Sequence, residues 1–258
     1  MSFRVILEAA DRPLAGMWVC SGSPLIAEIC AGGGLDWLLI DMEHAPNGLE
    51  SVLVQLQAVA AYPITPVVRV PSADPVVIKQ VLDLGAGTIL VPIVNSAAEA
   101  EAVVAAAHYP PRGRRGVGSA LARSARWNRI DGYLRDPQVS VLVQIETLDA
   151  VGAAGAIAGT DGVDGVFVGP SDLAASMNLI GQQTHPDVVE AVLQAFTGVR
   201  SAGKPFGVNA FDPSMAEQYL RAGASFVLVG ADVALLARAS EALAQQFVRP
   251  SETSRASY

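Results

Sequence analysis

The sequence predicts an α/β chain folded as a (β/α)8 barrel, and three observations carry that prediction. Short β-branched apolar runs alternate with alanine-rich stretches of helical spacing, the signature of βα units on a parallel sheet. Eight such runs can be counted. The 258 residues give roughly 32 per unit, matching the ~250 residues that a (β/α)8 barrel occupies. A doubly wound sheet is the competing architecture, but it would use fewer strands and leave a charged edge, whereas these runs are almost uniformly apolar.

In chain order the expected strands are 15–20 (AGMWVC), 36–41 (DWLLID), 65–70 (TPVVRV), 87–92 (GTILVP), 139–145 (VSVLVQI), 163–168 (VDGVFV), 205–208 (PFGV) and 225–229 (SFVLV). The helices between them, such as 24–31, 49–61, 75–84 and 97–107, start after turn or capping residues, and several stop at glycine. A last helix is expected over 233–247, followed by a polar tail, so the reading is one barrel domain over 1–248 and a frayed tail over 249–258. One stretch breaks the regularity. His108–Asn128 is about 20 residues without a clear period, longer than a connection in a compact domain should be, and points to a role at an interface or at the mouth of a site.

Composition excludes several functions. With 51% hydrophobic and 16% charged residues the chain is not disordered. A net charge of −8 argues against a nucleic-acid partner, because phosphate backbones are bound by concentrated Lys and Arg. Two cysteines, Cys20 and Cys30, with no other sign of secretion, make a reduced, cytoplasmic setting the expectation. Arg4, Glu8, Asp11 and Arg12 interrupt the N-terminus where a signal peptide would be apolar, and no segment reaches the length of a membrane span.

In such a barrel the site lies at the C-terminal ends of the strands, so the polar residues that follow each apolar run are the candidates. They are Asp41-Met42-Glu43-His44, Arg69, Gln144-Ile145-Glu146, and Gly169-Pro170-Ser171-Asp172. Glu146 and Asp172 end adjacent strands with no Lys or Arg in either motif, which suits a divalent cation of the Mg2+ or Mn2+ type. Asp172 alone would read better as a helix cap; the pair favours a metal. His44, placed after a strand and able to titrate near neutrality, is the candidate general base. His108 and His185 are expected to be structural. Arg69 closes an apolar strand and should face an anion, a developing oxyanion or Asp41, roles that are compatible.

The only lysines are Lys79, inside a helix, and Lys204, before the seventh strand, so a Schiff-base mechanism has no lysine facing the mouth. Gly32-Gly33-Gly34 reads as a helix end, and the arginines of PRGRRG and ARSARW as a solvated or subunit-contact face, with Arg123 able to reach a distal substrate carboxylate. Gly169-Pro170-Ser171 opens a helix whose free N–H groups could take a substrate carboxylate.

The ordered motifs DWLLIDMEHAPN, PVVRV, GVGSALARSARWNRI, VLVQIETLDA, GVDGVFVGPSDL and FVLVGADVALLARA resemble the metal-dependent class II pyruvate aldolases of the HpcH/HpaI family, over about Ala15 to Phe247. The resemblance implies retro-aldol cleavage of a 4-hydroxy-2-oxo acid to pyruvate and an aldehyde. It implies Glu146 and Asp172 as ligands of Mg2+, Mn2+ or Co2+, Gln144 beside them, and Arg69 at the pyruvate keto oxygen. His44 would act with a metal-bound water as base, Asp83 would pair with that histidine from a neighbouring subunit, and Asp41 would support it. Backbone N–H groups around Ser171 to Ala174 would hold the pyruvate carboxylate, with Gly169, Pro170 and Trp18 completing the substrate-binding set. The family also implies hexamers, trimers of dimers, that exchange their last helix. Two differences avoid the ligands: Met42 stands where glycine is usual and Ser171 where alanine is common. Asn209 falls where an apolar residue limiting aldehyde size is expected. A sister activity on 2-keto-3-deoxy sugar acids such as 2-dehydro-3-deoxyglucarate is the nearest alternative, ahead of a phosphoenolpyruvate mutase, an acyl-CoA lyase or a non-catalytic binding protein.

Overall fold

Each apolar run expected as a strand is one. The computed structural model describes residues 2–248; the tail expected to fray, 249–258, lies outside the described residues. The order is α1 (Phe3–Ala9), β1 (Leu14–Val19), α2 (Pro24–Ala31), β2 (Trp37–Asp41), α3 (Leu49–Ala58), β3 (Thr65–Arg69), α4 (Pro75–Asp83), β4 (Thr88–Val91), α5 (Ala97–Ala107) and β5 (Ser140–Ile145). It continues with α6 (Leu148–Gly152), α7 (Ala154–Gly159), β6 (Gly165–Val168), α8 (Pro170–Ser176), α9 (Pro186–Ser201), β7 (Phe206–Asn209), α10 (Pro213–Arg221), β8 (Phe226–Ala231) and α11 (Asp232–Phe247). The strands pair in parallel, in sequence order, and β8 closes on β1. No described helix is long and apolar enough to cross a membrane.

Helix starts follow local chemistry. Proline stands at the first turn of α2, α4, α8, α9 and α10, where its missing N–H is no loss. Ser23, Asp74, Ser96, Thr147 and Asp212 cap the helices that follow them by accepting a first-turn N–H. The 49–61 helix is α-helical only to Ala58 and ends in a 3-10 turn.

Side chains alternate across the barrel wall with period two. Leu38, Ile40, Val68, Val91, Val143 and Val168 pack outward against the helices. Trp37, Leu39, Val67, Leu90, Leu142, Phe167, Phe226 and Leu228 fill the interior. Two glycines make room for the bulkiest of these. A Cβ at Gly16 would lie 2.4 Å from the ring of its register partner Trp37, and one at Gly207 would lie 2.2 Å from the ring of its partner Phe226.

A short N-terminal helix that the sequence reading lacked closes the lower end. Phe3 is fully buried and meets Trp37 and Phe226 edge-on, each at 5.1 Å between centroids. The buried hydroxyls of Thr88 and Ser140, at the starts of β4 and β5, accept the Phe3 and Arg4 N–H groups, so the free N–H groups of a helix start find partners inside the protein.

The 108–128 stretch, expected at an interface or at the mouth of a site, packs at that end of its own barrel. It joins α5 to β5, so it runs where strands begin, and it folds into two 3-10 turns, Ser119–Leu121 and Arg123–Ala125. Arg115 is buried there, its guanidinium 4.6 Å from the Tyr109 ring centroid and its Nη2 2.5 Å from Asp83 Oδ1. Arg123 donates to Leu84 O, which keeps it at the lower end of its own barrel rather than over the mouth.

Candidate active site

Residues of the inward parity that sit last on their strands are polar. On β2 the inward set runs Trp37, Leu39, Asp41, and on β3 it runs Thr65, Val67, Arg69, with Asp41 and Arg69 as register partners. Both are buried. Arg69 donates from Nε to Asp41 Oδ1 and from Nη2 to Asp41 Oδ2, each at 2.8 Å. Its Nη1 lies 2.9 Å from Glu43 Oε2, and its Cζ stands 4.1 Å from the centroid of the Trp18 ring. Of five guanidinium N–H groups, three face these carboxylates, which leaves two for a ligand.

Asp41 also folds the loop beyond its strand. Its carboxylate accepts from the N–H groups of Glu43 and His44, and its carbonyl accepts from Asn47, which Gln55 holds in turn. This turn delivers His44 to the rim, where its side chain is 64% exposed and Nε2 lies 3.8 Å from Glu43 Oε2. Burial pushes the Glu43 carboxyl up from its ordinary value, Arg69 and His44 opposing that rise.

Glu146 is a second buried carboxylate at the mouth, 3% exposed. Oε1 accepts from Ile93 N at 2.7 Å and Oε2 from Gln144 Nε2 at 2.5 Å. Ile93 holds a φ of 54°, a strained conformation for a β-branched residue, and in it presents this N–H. Among the described residues no Lys or Arg pairs with Glu146. Burial pushes its carboxyl up to about 7, against the hydrogen bonds from Gln144 and Ile93, and the nearby carboxylates of Asp172 and Glu43 push it further. Gln144 Oε1 is buried without a partner. A Cβ on Gly169 would stand 3.1 Å from Glu146 Oε2, so the glycine keeps the space beside the carboxylate open.

Asp172 sits in the first turn of α8 but does not cap it: Gly169 is the capping position, and no side chain closes that end. A cavity of about 340 Å³ opens over the mouth, lined by Trp18, Asp41, His44, Arg69, Gln144, Gly169, Pro170, Ser171, Asp172 and Asn209. That volume suits a small oxo acid. Ala174 is buried in α8 and does not line the cavity. Asp83 is not brought to His44 within one chain; it ends α4 and pairs with Arg115.

His108 and His185 have the structural roles expected of them. The ring of His108 is buried with Nδ1 2.9 Å from Val104 O, and His185 accepts the Asp187 N–H at the start of α9. Lys204 donates to Val163 O at the lower end of β6, and Lys79 lies on α4, so neither faces the mouth.

Four contributors escaped the sequence reading. Glu43 stood inside a motif that was read for its neighbours, and Asn47 acts only through the turn it braces. Cys20 lines the cavity, and burial pushes its thiol up to about 12, so it is no nucleophile near neutral pH. Asp232 is buried and accepts the N–H groups of Cys20 and Ser21, which draws Cys20 off the strand expected to include it.

Fold and site together define a parallel (β/α)8 barrel whose small mouth is lined by carboxylates and served by one arginine. The chain belongs to the HpcH/HpaI aldolase/citrate lyase family, whose pattern matches residues 14–239. It is 52% identical over 257 residues to a 4-hydroxy-2-oxo-heptane-1,7-dioate aldolase of Shigella flexneri, covering 99% of this chain and 96% of that one. A protein of the same name from Escherichia coli strain ATCC 8739 is 52% identical over 248 residues, 95% and 94% of the two chains. Among solved structures, an HpcH/HpaI aldolase/citrate lyase family protein from Burkholderia cenocepacia J2315 superposes with a TM-score of 0.90 at 41% identity, over 94% of this chain and 97% of that one.

Proposed function

We propose that this chain catalyses reversible retro-aldol cleavage of a 4-hydroxy-2-oxo acid, such as 4-hydroxy-2-oxoheptane-1,7-dioate, to pyruvate and an aldehyde, such as succinate semialdehyde. The observation that carries the reading is a buried carboxylate without a cationic partner among the described residues, Glu146, behind Gln144 and Gly169 of an open cavity lined by Arg69, His44 and Asp172. Its relatives' names support it.

The residues of the mouth fit a divalent cation. Glu146 is hard, buried and uncompensated, Gly169 leaves the space beside it free, and Asp172 adds a second carboxylate to the mouth. No group of three or more His, Cys, Asp or Glu is gathered for a metal among the described residues, so substrate and water would complete the shell. When bound, Mg2+, Mn2+ or Co2+ supplies Lewis-acid stabilisation of an enolate.

The chain's own groups do the rest. His44 takes the proton of the 4-hydroxyl; the C3–C4 bond breaks, its electrons pass to the enolate of pyruvate and the aldehyde leaves; a proton from solvent adds at C3 to complete pyruvate, and His44 returns its own proton to solvent. Arg69, held by Asp41 and Glu43, directs its two remaining N–H groups at the developing enolate oxygen. Gln144 orients Glu146. Gly169, Pro170 and Ser171 line the side that receives the substrate carboxylate, with Ala174 buried behind them in α8, and Trp18 and Asn209 bound the aldehyde side. Asp83 of a neighbouring subunit would complete His44 in a hexamer with exchanged last helices. The apolar face of α11, with Leu235, Leu236, Leu243 and Phe247 exposed, supports such an assembly.

The test is pyruvate release from 4-hydroxy-2-oxo acids of several lengths, 2-dehydro-3-deoxyglucarate among them. Chelation should abolish it and Mg2+, Mn2+ or Co2+ restore it. Undiminished release after exhaustive chelation would overturn the metal-dependent reading.

A further inference from the structure

We propose that Asn209 is a positioning residue that acts on Arg69 through the ring of Trp18, an inference that rests on the aldolase reading above. The three side chains come from β7, β1 and β3 and form one chain of contacts around the mouth. Trp18 Nε1 donates to Asn209 Oδ1 at 2.9 Å, and the face of the same ring lies 4.1 Å from Arg69 Cζ. An indole nitrogen can only donate, so the amide oxygen, not the amide nitrogen, must face Trp18.

The geometry gives each contact a separate task. Asp41 grips one edge of the guanidinium with two parallel hydrogen bonds, and Glu43 stands in ion-pair contact with Nη1 at 2.9 Å. Those contacts fix the edge but allow the plane to tilt. The Trp18 ring face beneath Cζ, 4.1 Å away, opposes that tilt, and cation–π attraction falls away once the ring turns. Trp18 is itself 7% exposed, and Phe167 meets it edge-on at 6.4 Å. Among the described residues the one polar anchor of its side chain is Asn209, 191 residues away in the chain. An apolar residue at this position would leave the indole N–H without that acceptor and free the ring to rotate. Asn209 also lines an adjoining cavity of about 490 Å³ with Phe211 and Tyr219, but its carbonyl is already engaged.

Exchange of pyruvate methyl protons for deuterium, followed by NMR in D2O with the metal-loaded enzyme, needs the enolate chemistry and no aldehyde. Asn209→Leu should slow that exchange about tenfold, the order of one lost hydrogen bond, with little change in the KM for pyruvate. Asn209→Asp, which keeps an acceptor oxygen, should retain most of it. Trp18→Phe should slow exchange similarly, and Trp18→Phe with Asn209→Leu should be no slower than Trp18→Phe alone. Wild-type exchange in Asn209→Leu with a change only in the KM for the aldehyde, or effects that multiply in the double variant, would overturn the proposal and make Asn209 a direct acceptor contact.

Tryptophan emission of the metal-free protein distinguishes the two possible failures. Asn209→Leu should shift it, and the shift should vanish in the Trp18→Phe background. Absence of any shift overturns the proposal. A shift with no deuterium exchange in the wild type overturns the aldolase reading instead.

Discussion

Replacing Arg69 by lysine separates the placement of charge from charge itself. The arginine makes two parallel 2.8 Å hydrogen bonds to Asp41, stands 2.9 Å from Glu43 and stacks on Trp18. A lysine ammonium is one point charge with three donors; it can satisfy one carboxylate but cannot span both and stack. Losing about one net hydrogen bond to a charged group should destabilise the fold by roughly 1.5–3 kcal/mol. Losing a preorganised donor at the developing oxyanion should lower kcat by about 100- to 1000-fold, or about 2.7–4 kcal/mol of transition-state stabilisation. Thermal unfolding reports the first quantity and pyruvate release at saturating substrate the second. Arg69→Ala should remove most of the turnover and also leave Asp41, 1% exposed, without its cation, at a stability cost of about 3–5 kcal/mol. A folded Arg69→Lys enzyme within about threefold of the wild-type kcat would refute the reasoning, since that is less than 1 kcal/mol of the barrier.

Gly16→Ala should overpack the lower barrel, because its Cβ would meet the Trp37 ring at 2.4 Å; a loss of about 1–3 kcal/mol, several degrees in Tm, is expected in calorimetry. Phe3→Ala removes a fully buried ring between Trp37 and Phe226 and should cost about 3–5 kcal/mol in denaturant unfolding, with the mouth chemistry unchanged. Asp36, hydrogen-bonded by Arg12 and by the Ala15 N–H, titrates below its ordinary 3.8. Its contribution is therefore complete above that value and fades as pH falls through the lower folded one, so Asp36→Asn should flatten the acid limb of the stability profile while leaving the neutral region nearly level.

The barrel was legible because its strands are apolar on both faces and each is followed by a helix with its own start signal. The mouth was legible for a related reason. Parity along DWLLID and TPVVR puts Asp41 and Arg69 on the interior face, and register makes them neighbours, so a buried pair could be anticipated. Local pattern could not show what depends on distant pairing. Phe3 seals the barrel from a seven-residue helix with no period long enough to read. Asp83 meets Arg115 from 32 positions away, across a stretch with no repeat. Trp18 and Asn209 meet only because β8 closes beside β1, and nothing in either strand announces a hydrogen bond between them. Glu43 lies two residues past its strand, where alternation no longer assigns a face.

Borohydride treatment with pyruvate, followed by intact-protein mass spectrometry, decides between the proposed enolate chemistry on a cation at Glu146 and Asp172 and chemistry on a lysine. No adduct is expected on Lys79 or Lys204, in the same preparation whose pyruvate release is restored by added divalent metal. A reduced pyruvyl adduct on either lysine would contradict the chemistry on a cation.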